Sequence, residues 1–443
     1  MIETRERNAS WVDLALFLAA NVLFGAGLFA HAFLYNFLLQ ELALGAAVMG
    51  VAAASLTAGG LTALVPAGIL VDRVGARAAF FIAVVLACAG LATGAIVANR
   101  AAIYAAAFVA GAGTAVWRVS TGPILMRLTA GATRSRAFSW NVALLLASGA
   151  IWTFGAGSLP SWLDRTLETT TLQALRWSLI AGAAGTALAA LVFAFVPATA
   201  TPRARQTVNE LLDRSGRIAR AAASIRIPLP LAVAVLVITL WMTAGGAVIP
   251  FFNIYFQREH GLSIARIGVI FAAAQAVTAL IVFGSGEAAS RWGPRRMLLL
   301  WSLAFAPALW ALTTVDGVGV AILLFLIQGC VPPATNPLID QVLLERSPAT
   351  RHGAVSSWRN AATEVSGLIG SSAGGLLLQT ASFTALYTVA GTLAAVGAIG
   401  LALVLRWLGT REFGSTPVDE GSQAVSPVSD ASARIETTPR ATS

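Results

Sequence analysis

The stretch GILVDRVGAR at residues 68–77 returns as GEAASRWGPRR at residues 286–296. Gly68, Arg73, Gly75 and Arg77 fall on Gly286, Arg291, Gly293 and Arg295 at a constant offset of 218 residues. The register extends outward without a gap over residues 34–77 and 252–295. There Phe37 meets Tyr255, Glu41 meets Glu259, Leu44 meets Leu262 and Gly50 meets Gly268. Further on, Pro123 matches Pro337 at an offset of 214, and Ser139-Trp140 matches Ser357-Trp358 at 218 again. A chance likeness between apolar sequences does not hold glycine, arginine and tryptophan in register. The chain reads as two homologous halves.

Composition says where those halves reside. Of 443 residues, 57% are apolar and 11% charged, and the mean hydropathy is +0.77. A soluble chain of this length needs about 25% charged residues to cover its surfaces. This excludes a soluble enzyme, a nucleic-acid-binding protein, a disordered chain and a disulfide scaffold. No nucleic acid is expected as a partner; the lipid bilayer is. The two cysteines, Cys88 and Cys330, sit in apolar stretches and read as packing, and three histidines are too scattered for a metal site.

A bilayer-crossing helix needs about 20 apolar residues. Scanning for that length gives twelve spans: 12–39, 45–71, 78–98, 101–126, 137–158 and 173–197, then 228–256, 263–289, 296–315, 317–340, 353–378 and 383–407. The expected fold is all-α and polytopic, with two pseudo-symmetric six-helix bundles at 12–197 and 228–408. Residues 1–11 form a short leading tail, and the first span is read as a helix rather than a cleaved leader. Residues 198–227 carry an apolar stripe at helical spacing (Val208, Leu211, Leu212, Ile218, Ala222, Ile225) with arginines mostly off it, an amphipathic helix for the inner leaflet. Residues 409–443 are rich in Ser, Thr, Pro and acids and read as a disordered tail.

All the basic residues are arginine, and they cluster after the even-numbered spans: Arg73 and Arg77; Arg127, Arg134 and Arg136; Arg203 through Arg226; Arg291, Arg295 and Arg296; Arg346 and Arg351. The opposite loops hold Arg100, Arg165, Arg258, Arg266 and Arg176. The positive-inside rule then puts both termini in the cytoplasm, in the cytoplasmic (inner) membrane.

The loop motif resembles the G-x-L-a-D-R-x-G-R-R signature of the major facilitator superfamily. It departs at Ala76, where the family has a basic residue, and the second copy carries Ser290 in place of the acid. The resemblance covers residues 12 to about 408. It implies a secondary transporter working by alternating access, in which one half rocks against the other around a midplane site. It also implies a cytoplasmic gate of Gly68, Asp72, Arg73, Gly75 and Arg77, with Asp72 facing the N-terminal end of span 11 near Gly353 and Ala354. Gly68 and Gly75 are expected to allow close helix packing and a tight turn. A second cluster follows in the other half, Arg291, Gly293 and Arg295 with Asp340 as their partner. The proline-glycine pattern of proton-drug antiporters is missing from span 5, which reads SGAIWTFGAG over 148–157.

Charges inside spans are expensive and are functional candidates. Arg118 lies in span 4, about 7 Å from its centre at 1.5 Å per residue, with Thr114 and Thr121 on its face. It attracts an anionic group, pairs with an internal acid or snorkels to the interface. Glu364, with Asn360 one turn before it, is the candidate for proton coupling, because a carboxyl moving between dry and wet surroundings takes up and releases a proton. The alternative is a packing role. His31, with Tyr35 one turn on, is a second coupling candidate or a hydrogen-bonded structural residue. Trp117, Trp140, Asn21 and Tyr35 complete the cavity candidates. Since the family places helices 4 and 11 at its cavity, Arg118 and Glu364 are expected to approach each other.

The reading is a monomeric, proton-coupled transporter of a small organic solute. It has no cofactor beyond the ion gradient and no catalytic site. An uncoupled facilitator and a non-transporting receptor or scaffold are the alternatives. A reporter enzyme fused after Arg411 is expected to be active only when the fusion folds in the cytoplasm; activity on the other face overturns the topology.

Overall fold

The computed structural model describes residues 11–196, 229–345, 347 and 352–408. The leading tail, the amphipathic linker helix and the trailing tail expected above lie outside the described residues, except for Trp11 of the leading tail. The described chain is helical throughout. The first half holds α1 (Trp11–Glu41), α2 (Ala46–Val74), α3 (Ala76–Ile96), α4 (Arg100–Leu128), α5 (Gly131–Leu167) and α6 (Thr171–Ala194). The second holds a broken α7, then α8 (Ile264–Trp292), α9 (Pro294–Ala311), α10 (Val318–Glu345), α11 (His352–Thr380) and α12 (Phe383–Leu408). Ten of these twelve segments are long and apolar enough to cross a membrane. The other two have plain reasons for falling short. α9 is 18 residues long and opens on two arginines, and α11 carries Arg359 and Glu364.

The seventh segment was expected as one helix. It runs as α7a (Leu229–Val248), a single tight turn (Ile249–Phe251) and α7b (Phe252–Arg258). Pro250 lies in that turn, where a missing N–H and a ring clash interrupt an α-helix. Its first-half counterpart is Ala32, and α1 runs on unbroken.

The motif loops behave as a repeated device. Gly75 has φ 84° and Gly293 φ 87°, a backbone that side-chain-bearing residues rarely adopt. Each glycine N–H closes the preceding helix, on the Val71 and Ala289 carbonyls at 3.0 and 2.9 Å. Each glycine then opens the next helix. Gly68 does not permit close packing as expected: a Cβ there would meet nothing within 4 Å.

The halves meet at the end of the bundle opposite these loops. α2 crosses α11 at Gly50 and Gly375, and α5 crosses α8 at Gly157 and Gly268. A Cβ at any of the four would come within 2.7–2.9 Å of its partner's Cα. α1 bonds directly to the turn at Pro250 and to α7b. Asn36 Nδ2 donates to Pro250 O at 2.6 Å, Asn253 Nδ2 to Phe33 O at 2.8 Å and Gln40 Nε2 to Gln257 Oε1 at 3.0 Å. Arg258 Nε donates to Gln40 Oε1 at 3.1 Å.

Overpacking such a contact costs about 1–3 kcal/mol. Gly157→Leu is therefore expected to part the halves at this end. A cysteine replacing buried Met49, in a background with Cys88 and Cys330 changed to alanine, should react roughly tenfold faster with an impermeant maleimide added from that side. An unchanged rate means that the crossings do not hold this end shut.

Candidate functional site

Two features lie between the halves. The first is a cavity of about 360 Å³. α1 contributes His31, Tyr35 and Asn36, and α2 contributes Met49 and Thr57. From across the interface come Ile249 and Pro250 at the α7 break, and Phe271 and Gln275 of α8. This size falls within the range of small-molecule pockets, about 300–1,000 Å³. The walls are mainly apolar and aromatic, with scattered neutral polar groups. His31 lies on this wall, on α1. Its ring lies 4.0 Å from that of Tyr35 between centroids. The Tyr35 hydroxyl is buried and has no hydrogen-bond partner among the described residues.

The second feature is an ion pair. Both terminal nitrogens of Arg118 lie 3.3 Å from Glu364 Oε1. α4 supplies the arginine and α11 the carboxylate, so the pair spans the halves. Arg118 stands about 15 Å from the Leu128 end of α4, and Glu364 about 18 Å from the His352 end of α11, at 1.5 Å per residue. Both are therefore well inside the bundle. Yet the side chains keep 47% and 21% of their surface accessible. Deep charges with this accessibility face an open passage rather than packed protein. Arg118 lies 3.7 Å from the Cβ position of Gly60, one turn along α2 from the cavity residue Thr57. The pair thus sits about one helical turn from the cavity, toward the motif end.

The motif loop lies beyond the pair along α2. Asp72 is exposed there and forms no hydrogen bond or ion pair with a described residue. Its contact was expected at Gly353 and Ala354, whose side chains lie outside the described residues. Arg73 is also exposed. Arg77 does something the motif alone did not suggest. Its guanidinium donates to Val196 O and, at 3.0 Å, to Ala194 O, and lies 5.4 Å from the Phe193 ring centroid. It caps carbonyls left unpaired at the end of α6, where a helix end favours a cation.

Several expected members belong elsewhere. Asp340 does not pair with Arg291 or Arg295. Its two carboxylate oxygens accept from Arg359 Nε and Nη2, both at 2.7 Å, joining α10 to α11 within one half. Arg291 instead bonds Glu287 one turn back on its own helix. The cause is geometric: Arg359 presents a planar fork to a carboxylate on the adjacent helix, which suits bidentate bonding. Asn21 and Trp117 are buried in the first half rather than lining the cavity. Trp117 Nε1 donates to Asn21 Oδ1 at 2.9 Å, Asn21 Nδ2 donates to Asn141 Oδ1 at 2.6 Å, and the indole stacks on Phe24 at 4.6 Å. Trp140 is 42% exposed and packs on Trp11. The Thr114 and Thr121 hydroxyls return to their own helix, on Ala110 O and Trp117 O. Asn360 is exposed one turn from Glu364. Conversely, Asn36, Asn253, Gln275 and Arg359 escaped the sequence reading, although each is a polar residue in an apolar span, the signal that had singled out Arg118.

With this geometry in view, the comparisons with known proteins are specific about class. The Major Facilitator Superfamily family model matches residues 16–245 and 231–439, nearly the whole chain. The chain belongs to the Major Facilitator Superfamily and is a multi-pass membrane protein. An uncharacterized MFS-type transporter of Escherichia coli K12, YdeE, is 33% identical over 93 residues, 21% of this chain and 24% of that protein. The tetracenomycin C resistance and export protein of Streptomyces glaucescens is 27% identical over 136 residues, 29% of this chain and 25% of that protein. The chain thus aligns with about a quarter of each of these relatives. The crystal structure of the nucleoside transporter NupG superposes with a TM-score of 0.72 at 14% identity, covering 90% of this chain and all of that one. A D-xylose-proton symporter superposes at 0.67 and 15% identity, over 90% and 97% of the two chains. At such identity these two show the shared fold.

The Asn21 network makes a stability prediction. Asn21→Leu strips Trp117 of its acceptor and Asn141 of its donor inside the first half. An unmade buried hydrogen bond costs about 1–3 kcal/mol. The melting temperature in detergent should fall by several degrees, whereas Asn360→Ala, at an exposed position, should leave it unchanged. Equal effects would contradict the assignment of Asn21 to packing.

Proposed function

We propose that this chain is a secondary active transporter that moves a small organic solute across the cytoplasmic membrane, with proton coupling through Glu364. The observation that carries the reading is the Arg118–Glu364 pair, a deep charge pair shared between the halves one turn from a cavity to which both halves contribute. Such a pair has a reason to be exchanged. When exposed, an ion pair is worth about 0–1 kcal/mol. A proton on Glu364, or a polar group of a solute on Arg118, is then enough to replace it.

The arginine bias supports placing the motif end and both termini in the cytoplasm. In that orientation the halves are closed on the outside and the passage opens inward. Asp72 is exposed here, and its role in this reading is to meet the start of α11 when the inner side closes. Solute enters the cavity beside His31, Tyr35 and Gln275. An anionic group on it competes with Glu364 for Arg118 and favours protonation of the released carboxyl, the logic of symport. A cation competes with the proton instead, the logic of antiport.

The test uses proteoliposomes with a pH-sensitive dye and a solute found by thermal-shift screening of small anions, sugars and hydrophobic cations. Glu364→Gln is expected to abolish accumulation driven by a pH gradient while counterflow exchange continues. Accumulation that stays fully pH-dependent removes Glu364 from the mechanism and makes His31 the next residue to test. Loss of both activities in a folded variant assigns Glu364 to binding. No movement of any solute by the wild type favours the receptor or scaffold.

A further inference from the structure

The Arg118–Glu364 pair differs in kind from the Arg359–Asp340 pair. Arg359 gives Nε and Nη2 to the two oxygens of Asp340, both at 2.7 Å, and Nη1 to Thr363 at 3.4 Å. Its side chain keeps 13% of its surface accessible. Arg118 sends both terminal nitrogens to one oxygen of Glu364 at 3.3 Å and makes no other hydrogen bond to a described residue. Charge-assisted N–H···O bonds are ordinarily about 2.7–2.9 Å long, and a guanidinium offers a planar fork with several donors. The Arg359 fork is filled and the Arg118 fork is not. Arg118 also shows more surface than the carboxylate it meets, 47% against 21%. An oxyanion arriving at this pair finds donors to bond.

The cavity beside the pair has the opposite character. Thr57 on its wall stands against α11, with its methyl 3.6 Å from the Cβ position of Gly367. Glu364 comes three residues before Gly367, and Gly60, beside Arg118, comes three residues after Thr57. Pair and cavity are thus neighbours along two helices, about 4.5 Å apart at 1.5 Å per residue. Among the described residues lining the cavity there is no acid and no arginine. Leu28, Phe29, Phe33, Met49, Leu56 and Phe271 give it a largely apolar wall. Both halves supply rings: Phe33 of α1 and Phe271 of α8 meet edge-to-face, 5.4 Å apart between centroids. Aromatic bodies pack well on such edges and faces. Roughly 150 Å³ is enough for benzene, so a cavity of about 360 Å³ has room for two fused rings. An unpaired charge buried against this wall would be costly, which leaves the charge of any occupant to the pair.

We infer that the solute is an aromatic organic anion, with an uncharged body of one or two rings in the cavity and one oxyanion head, such as a carboxylate, carried on a short spacer to Arg118. The head takes the open donors of Arg118 and displaces Glu364 from them. A cation of the same shape meets the more accessible arginine first and is repelled. A neutral analogue fills the cavity and leaves the donors unused. That this anion is the transported solute rests on the transport reading; that it binds does not.

Binding is therefore measured first. The purified full-length protein in lipid nanodiscs is titrated at neutral pH by isothermal titration calorimetry, with empty nanodiscs as the blank. The probes are 3-(2-naphthyl)propionate, its primary amide, 3-(2-naphthyl)propylamine, decanoate and acetate. The naphthyl anion is expected to bind saturably and at least about tenfold more tightly than each of the others; against the amide, this is the worth of a charge-assisted hydrogen bond. Arg118→Gln should lower the anion to the affinity of the amide and leave the amide unchanged. Glu364→Gln should tighten the anion severalfold, because it removes the carboxylate that competes for Arg118. A pair with only a structural role would not give opposite effects. Any other probe binding as tightly as the naphthyl anion, an anion affinity indifferent to Arg118→Gln or weakened by Glu364→Gln, or no saturable binding overturns the inference. The wild-type probe series decides where a variant fails to fold. Proton-driven accumulation of another solute by a protein that does not bind the naphthyl anion overturns this inference alone. Binding of the anion without proton-driven movement of it or any other solute overturns the transport reading alone.

Discussion

The described architecture depends on how closely two pairs of helices approach at the end away from the motif loops. Inside a bilayer there is no large hydrophobic gain in bringing helices together, so close backbone contact and interhelical hydrogen bonds must do it. Gly50 against Gly375 and Gly157 against Gly268 provide that contact. The repeat relates the two crossings: Gly50 corresponds to Gly268, and Gly157 to Gly375, at the same offset of 218 residues. One crossing is thus the other turned about the pseudo-twofold axis. The α1–α7b hydrogen bonds lie beside that axis and add direction to a contact that dispersion alone leaves unspecific.

Magnitudes then divide the labour between the two ends. A solvent-accessible ion pair such as Arg118–Glu364 contributes about 1 kcal/mol or less, too little to hold two six-helix bundles. The glycine crossings bring backbone against backbone at one end of the bundle and set which end is shut. The ion pair is free to be a variable part of the interface. The same holds for Asp72, because a charge at a helix end gains only about 0.3–1 kcal/mol from a facing dipole, little beside the packed end.

Much of this was legible in the sequence because the repeat supplied an internal control. Length and hydropathy placed twelve spans, and the glycines of the two motif loops foretold the turns observed at Gly75 and Gly293. What resisted reading was pairing. The offset aligns Gly50 with Gly268, yet these two equivalent residues do not touch each other, and no periodicity names Gly375 as the partner of Gly50. Asp340 was assigned to arginines near in the loop pattern, whereas Arg359 on the adjacent helix has the better geometry. Trp117 and Asn21 looked like pathway residues because they are polar groups in apolar helices. They satisfy each other instead, and one sequence cannot distinguish a polar group that is paired from one that waits for a ligand. The approach of Arg118 to Glu364 was expected through the family's helix arrangement, since the two residues stand 246 positions apart.

The parts of the chain that break its own symmetry are where its chemistry gathers. At an offset of 214, Arg118 corresponds to Pro332, so the second half has no cation at the matching position. At 218, Glu364 corresponds to Leu146, so only the second half brings the acid. A duplicated bundle with both charges in one half would form an internal pair indifferent to rocking. With one charge in each half, any relative motion stretches or replaces the pair, which ties its state to the conformation. The symmetric residues therefore build the closure at one end, and on the transport reading proposed above the asymmetric ones are left to meet a solute and a proton.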